Sequence, residues 1–123
     1  MKHLFTFLLV AISATSFAQG NLQFNQVINV SGVSAGSNIM TTVTVPAGKV
    51  WKITSASWLS ANGGGVSYWL CLGPYAISSG STYPPRFPIW LEPGSYDVKW
   101  CNPTDNFIGY RYAISGVEFN VVP

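Results

Sequence analysis

The chain carries very few residues that could do acid–base, nucleophilic or metal chemistry. Its 123 residues include one histidine, two cysteines and four carboxylates, and only 8% are charged. Ser-His-Asp and Cys-His catalysis both need an imidazole, and the one histidine is His3, at the extreme N-terminus. Two thiols without a histidine cannot complete a tetrahedral metal shell. We therefore predict a protein that is not an enzyme and that binds no metal or other cofactor.

The carboxylates do not change this prediction. A glycosidase needs two carboxyl groups that face each other across roughly 5 to 9 Å. Glu92 and Asp97 are near each other in the sequence, but each has an ordinary structural interpretation. Glu92 falls in a turn and Asp97 on the edge of a predicted strand, so we expect no catalytic pair.

The first 18 residues have the three parts of a secretory signal peptide. Met1-Lys2-His3 is basic, 4–12 is apolar, and 13–18 consists mostly of small residues. The apolar run is too short to span a bilayer. We predict cleavage before Gln19, at a junction that resembles those of exported proteins of Gram-negative bacteria. Residues 19–123 should then form a single secreted domain, periplasmic or extracellular, with no membrane span.

Cleavage would also remove Lys2 and the only histidine. Five basic and four acidic residues remain after it, a net charge of +1. This charge is too weak to neutralise a phosphate backbone, so no nucleic-acid partner is expected. A weakly charged surface offers little repulsion between copies of the chain.

The two cysteines predict a disulfide, because a cysteine pair in a small exported domain is typical of one. Cys71 and Cys101 would close a loop of about 30 residues, worth roughly 3 to 4 kcal/mol in the chain-entropy model. Strand alternation places both on the wetter face of their strands. We therefore expect the bridge on a polar surface outside the core, beside Trp69.

The pattern of the chain predicts an all-β fold. The sequence has 12 Gly and 8 Pro, and no long stretch shows the 3.6-residue period of a helix. Short β-rich runs between turn residues predict an antiparallel two-sheet β-sandwich. A jelly roll is the favoured topology and an immunoglobulin-like sandwich the alternative, because strand spacing does not reveal strand order. The predicted strands are 22–30, 38–45, 49–58, 66–72, 86–91, 95–101, 107–114 and 117–122.

Local signals specify two corners and one irregularity. The Pro-Gly corners at 45–49 and 91–95 should both be tight, hairpin-like turns. In the last segment, apolar residues are even-numbered up to Ile114 and odd-numbered from Val117 onward. Since one inserted residue reverses the facing of a strand, we predict a β-bulge at Ser115-Gly116, or else a bend where the strand crosses between the sheets.

Aromatic residues, at 15% of the chain, are the one positive excess. One group falls on faces predicted to be core, where large rings dominate the burial energy. This group consists of Trp51, Tyr96, Trp100, Tyr110 and Tyr112. A second group falls on wet faces or in the predicted loops around 60–65 and 73–87. It consists of Trp58, Trp69, Tyr75, Tyr83 and Trp90.

Exposed rings in an exported sandwich suggest stacking on sugar rings, with amide or guanidinium donors holding the hydroxyls. We therefore expect a non-catalytic module that binds a glycan or polysaccharide. Its predicted ligand-binding residues are Trp58, Asn62, Trp69, Tyr75, Tyr83 and Arg86. The alternative is a self-associating structural subunit, a homo-oligomer, because Trp, Tyr and Arg also concentrate at subunit interfaces.

Overall fold

A computed structural model describes residues 21–59, 69–78, 87–101 and 108–123. Every regular element in these ranges is a strand, and the strands form two antiparallel four-stranded sheets that pack together. The predicted β-sandwich is confirmed, whereas the predicted leader, 1–18, lies outside the described residues. The strands are β1 (Asn21–Ala35), β2 (Ile39–Val45), β3 (Lys49–Leu59), β4 (Leu70–Leu72), β5 (Tyr75–Ser78), β6 (Ile89–Leu91), β7 (Gly94–Trp100) and β8 (Ile108–Val122).

The first sheet has the strand order β1-β8-β3-β6, and the second has the order β2-β7-β4-β5. Among the eight described strands, β4 and β5 are the only consecutive pair that shares a sheet. All the other connections therefore cross from one sheet to the other. The described part of the chain contains no helix of the length and apolarity that crossing a membrane requires.

The two Pro-Gly corners are tight, as predicted, but neither closes a hairpin. The first carries the chain from β2 in the second sheet to β3 in the first sheet. In it, the Lys49 N–H donates a 3.1 Å hydrogen bond to the Pro46 carbonyl, and Gly48 takes a φ of 73°. The second corner returns the chain from β6 to β7. Turn chemistry sets the local reversal and leaves open which sheet the next strand joins.

Strand β5 lies where the sequence predicts a loop. A turn at Gly73-Pro74 joins it to β4, and Gly73 has a φ of 56°, which suits glycine. The Gly73 N–H also donates a 2.8 Å hydrogen bond to the Asp97 carbonyl. The predicted strands 66–72 and 86–91 extend outside the described residues, at 66–68 and at 86, and their described parts contain β4 and β6.

Strand β8 stays in the first sheet over its 15 residues and keeps an uninterrupted register with β1 from Ile114 to Val117, so the predicted bulge or bend at Ser115-Gly116 is wrong. The inserted residue lies in the partner strand instead. Thr54 of β3 separates Ile53, which pairs with Gly116, from Ser55, which pairs with Ser115. A bulge reverses the facing of the strand that carries it, so it is β3 whose inward residues change parity.

The core lies between the two sheets. Trp51, Trp100 and Tyr112 are buried, and Tyr96 and Tyr110 are half-buried against it, which confirms the prediction for these rings. The other buried core residues are Ile28, Val43, Val45, Ile53, Leu70, Leu72, Ile77, Leu91, Val98 and Ile114.

Candidate interaction surface

The predicted ligand-binding residues do not converge on one surface of the described structure. Asn62, Tyr83 and Arg86 lie outside the described residues. Tyr75 is 43% exposed and pairs directly with the buried Leu72, which shares a face with Leu70, whereas Trp69 has the opposite parity to Leu70. Because side chains alternate between faces, Tyr75 and Trp69 belong to opposite faces of the second sheet.

The sequence predicts Trp58 on a solvent-exposed face, and this prediction is wrong. It is half-buried and packs against the core. Its ring centroid lies 5.8 Å from that of Trp100, edge to face, and 6.0 Å from that of Tyr110. The cause is the bulge at Thr54, beyond which the even-numbered residues of β3 turn inward. These ring contacts hold Trp58 in an aromatic cluster at the end of the core.

The two cysteines lie close enough to form the predicted disulfide, but they do not lie on the predicted polar surface. Cys71 and Cys101 lie at disulfide distance, with their Cα atoms 5.3 Å apart. Cys71 is only 9% exposed, so the bridge does not lie on a polar surface. Strand β4 sits between β7 and β5 and is buried on both faces, which alternation within β4 alone could not show. The pair is compatible with an oxidising, extracellular environment.

Most of the exposed apolar side chains lie on the outer face of the first sheet, the face directed away from the core. The structure exposes nine large apolar side chains, and strand register with alternation places seven of them on this outer face. The seven are Leu22, Phe24, Val27, Val33, Leu59, Trp90 and Val121. Antiparallel sheets in sandwiches usually present polar side chains to water, so the outer face is the candidate interaction surface.

Cross-strand neighbours divide the outer face into three parts. The apolar half consists of Leu22, Phe24, Val27, Val50, Lys52, Trp90, Val117, Phe119 and Val121. The polar half consists of Asn29, Ser31, Ser55, Ser57, Ala113 and Ser115. Beyond it, Val33, Arg111 and Leu59 form a last row across three strands.

Trp90 is the most distinctive ring of the apolar half, and it is 46% exposed. The ammonium of Lys52, on the neighbouring strand, lies 5.4 Å from the centroid of its ring. At this distance the cation is attracted to the π face. The ring of Phe119 is a second neighbour of Trp90, with the two ring centroids 5.9 Å apart. An open depression of about 310 Å³ beside this group is lined by Lys52, Thr54, Phe87 and Pro88.

The sequence alone predicted only part of this surface. Trp90 was correctly predicted to be exposed, but Lys52 and Phe119 come beside it only through the strand order. The signal for the remaining residues is that β1 and β8 have apolar residues at both parities, as Val27 and Ile28 illustrate in β1. Apolar residues on both parities indicate a strand that is apolar on both faces.

One carboxylate lies in the interior. Glu118 is 3% exposed, and Trp51 Nε1 donates a 2.7 Å hydrogen bond to its Oε2 atom. Its Oε1 atom accepts from Asn25 Nδ2 at 2.5 Å and from Gln26 Nε2 at 3.2 Å. The Lys49 ammonium is 3.9 Å from the same oxygen.

A second bulge makes this arrangement possible. Neighbouring side chains of a regular strand point to opposite faces, yet Asn25 and Gln26 both reach the same oxygen of Glu118. The register of β1 against β8 shifts between Phe24 and Gln26, which leaves Asn25 as the extra residue. The bulge therefore brings two consecutive amides to one carboxylate.

The surroundings of Glu118 favour its ionised form. Burial by itself raises the pKa of Glu118. Hydrogen bonds from Trp51 and Asn25, the charge of Lys49 and the hydrogen bond from Gln26 outweigh burial and hold the pKa below its ordinary value. A general acid needs the opposite shift, so this carboxylate has the character of a structural anion.

Comparison with known protein families, curated proteins and solved structures finds no match to this chain. The functional assignment therefore rests on the surfaces of the molecule itself.

Proposed function

We propose that this protein is an exported, non-catalytic structural subunit that associates with further copies of itself through the outer face of its first sheet. One observation carries the proposal: of the nine large apolar side chains exposed among the described residues, seven lie on that face. Burying such a surface against another protein is favourable without any specific ligand.

The chemistry of the apolar half suits a protein partner better than a sugar. Sugar hydroxyls require donors and acceptors beside the stacking ring. The apolar half has two polar side-chain groups, the indole N–H of Trp90 and the ammonium of Lys52, which already lies near the Trp90 ring. A second copy would instead present the same aliphatic and aromatic side chains, which need only burial.

The size of the apolar half indicates the strength of this contact. From Leu22 to Val27 it runs about 20 Å along the strands and 15 to 19 Å across them. Its flat footprint is therefore roughly 350 Å², below the roughly 800 Å² per partner of a standard interface and typical of a weak, reversible contact. Two copies related by a two-fold axis near Phe24 would bury apolar half against apolar half. This arrangement keeps Arg111, in the last row, away from the centre of the contact.

Sedimentation of the oxidised protein from residue 19 onward tests the proposal. We expect reversible association in the micromolar range and at least tenfold weaker association for the double variant Phe24→Lys, Val121→Lys. Both side chains are exposed, so the variant should keep the β-sheet circular dichroism of the wild type. The control is Ser55→Lys, Ser57→Lys, which adds the same charge in the polar half of the same face and should still associate. A wild type that stays monomeric at several hundred micromolar would refute the proposal.

Glycan binding is the second candidate, and the exposed Trp90 ring beside the Lys52 depression favours it. An anionic sugar could stack on the ring and pair its charge with the ammonium. Retention on a panel of neutral and acidic polysaccharides tests this, with Trp90→Ala compared with Trp69→Ala. Retention that Trp90→Ala abolishes supports the glycan, and retention that neither variant changes places the ligand elsewhere. If the wild type is not retained on any of the polysaccharides, glycan binding is refuted.

Two structural details belong to the same proposal. Jelly-roll topology is supported by the order β1-β8-β3-β6 over β2-β7-β4-β5, with chain crossings between the sheets at almost every connection. Export is supported by the leader pattern of residues 1–18 and by the disulfide-distance pair. N-terminal sequencing of the secreted protein tests the second point, since it should begin at Gln19.

A further inference from the structure

We propose that β1 is an open sheet edge at which a second copy of the chain adds its own β1, antiparallel, so that two first sheets join into one eight-stranded sheet. The inference rests on the proposed self-association and names a second contact for it. The outer face and the β1 edge are different surfaces, so a subunit that uses both can assemble beyond a dimer.

The composition of β1 marks it as an unprotected edge. The strand is 15 residues long and contains no charged residue and no proline. Natural sheet edges are usually short, charged, interrupted by proline or bulged, which prevents pairing with other chains. The opposite edge of the same sheet, β6, has three residues, and the edge strands β5 and β2 of the other sheet have four and seven.

The regular part of the edge is long enough to pair. Register shifts occur at Asn25 and between Val33 and Ala35. Between them, Gln26–Val33 is an eight-residue stretch of uninterrupted register, about 26 Å long. No strand of the described ranges pairs with its side away from β8. That side carries the main-chain donors and acceptors that β8 does not use, and pairing would satisfy them.

The same stretch is self-complementary in one register. In an antiparallel pair, residues directly opposite each other lie on the same face of the sheet. A two-fold axis at Val30 sets Val27 opposite Val33 of the second copy and Asn29 opposite Ser31 of the second copy. Apolar side chains then meet apolar ones and polar meet polar on the outer face. An axis at Asn29 would set Val27 opposite Ser31, so Val30 is the preferred centre.

Pairing at the edge would also extend the outer face. The row of Val27, Lys52 and Trp90 in one copy would continue into the last row of the other, which contains Leu59 and Arg111. The joined sheet would therefore carry one row across two subunits, in which Val27 meets Val33 at the contact and Lys52 and Arg111 are the two charged members. This continuity links the edge contact to the face contact.

Single-cysteine variants treated with a short bifunctional maleimide test the edge directly. In the paired sheet, the Asn29 Cα would lie within about 8 Å of its counterpart. Ser55 occupies the same row of the outer face but lies two strands away from the edge. We expect rapid cross-linking of Asn29→Cys into a covalent dimer and at least tenfold slower cross-linking of Ser55→Cys. Equal rates, or faster reaction of Ser55→Cys, would overturn the edge contact.

A charged edge provides the second measurement. Asn29→Lys, Ser31→Lys would place like charges opposite each other at the two-fold axis, while both side chains are exposed in the single subunit. We expect a loss of at least tenfold in association by sedimentation, compared with Ser55→Lys, Ser57→Lys in the same rows of β3. An association constant equal to that of the control would overturn the inference.

The two proposals fail in different ways. If Phe24→Lys, Val121→Lys disrupts association and Asn29→Lys, Ser31→Lys does not, the face proposal stands and the edge inference is wrong. If only the edge variant disrupts association, the edge inference stands and the face proposal is wrong. Binding of the edge to an unrelated protein, without any covalent dimer of Asn29→Cys, would also refute pairing between copies.

Discussion

The indole of Trp51 and the carboxylate of Glu118 form a 2.7 Å hydrogen bond inside the sandwich, between directly paired residues of β3 and β8. Both residues are at least nine-tenths buried. An ionised carboxylate in such a place is stable only when its oxygens are hydrogen-bonded or paired with a cation. Trp51, the two amides of the β1 bulge and Lys49 meet this requirement, so the contact joins β1, β8 and β3 at one point.

Replacing Trp51 with Phe should test the energetic weight of this bond. The variant keeps most of the ring but removes the donor to a charged oxygen. We therefore expect the free energy of unfolding at pH 7 to fall by about 1.5 to 3 kcal/mol. The matched control is Trp90→Phe, whose ring is 46% exposed and whose loss should be below about 1 kcal/mol. Equal losses in urea unfolding would show that the Trp51 hydrogen bond is not a special contributor.

The low pKa of Glu118 predicts the direction of the pH dependence. Its folded pKa lies below the ordinary value of 4.5. The stabilisation is therefore fully present above pH 4.5 and is lost as the pH falls through the folded pKa. The difference in unfolding free energy between the wild type and Glu118→Gln should be large at pH 7 and shrink toward pH 2. A difference that does not change with pH would mean that the pKa of Glu118 is the same in the folded and unfolded protein, and a difference that grows as the pH falls would mean that folding raises it.

Reduction of the Cys71–Cys101 pair should lower stability. The pair encloses a sequence separation of 30 residues, for which the chain-entropy model gives about 3 to 4 kcal/mol. We expect a clear fall in the thermal midpoint with reductant and a similar fall for Cys71→Ala, Cys101→Ala without it. If reductant also lowers the midpoint of that double variant, the reductant has an effect unrelated to the bridge.

Gly116 should be irreplaceable, because β3 approaches it closely at the Thr54 bulge. A Cβ atom there would lie 2.6 Å from the Lys52 carbonyl oxygen and 3.1 Å from the Ile53 Cα, both of which are backbone atoms. Gly116→Ala should therefore destabilise by about 2 kcal/mol or more through overpacking. Ser115→Ala, one residue away, should stay within about 0.5 kcal/mol in the same urea titration. A Gly116→Ala variant as stable as that control would contradict the close approach.

The prediction of an all-β sandwich, its buried rings and its cysteine pair followed from alternation, turn chemistry and composition. These signals act over a few residues, which is the distance over which backbone preferences and facing are set. Trp51, Trp100 and Tyr112 were therefore placed correctly without knowledge of strand order, and Trp90 was correctly expected to be exposed.

Alternation alone could not locate the bulges at Thr54 and Asn25. These two bulges decided where Trp58 lies and which groups surround Glu118. The facing change predicted in β8 lies in β3, at Thr54, and it takes Trp58 into the core. The bulge at Asn25 brings two amides to Glu118, a residue that the sequence did not identify as buried. Each bulge is defined by a partner strand far along the chain, and so is the neighbourhood of Trp90, Lys52 and Phe119. Pairing between distant segments depends on burial and hydrogen bonding over the whole sandwich, and only the tertiary structure expresses that balance.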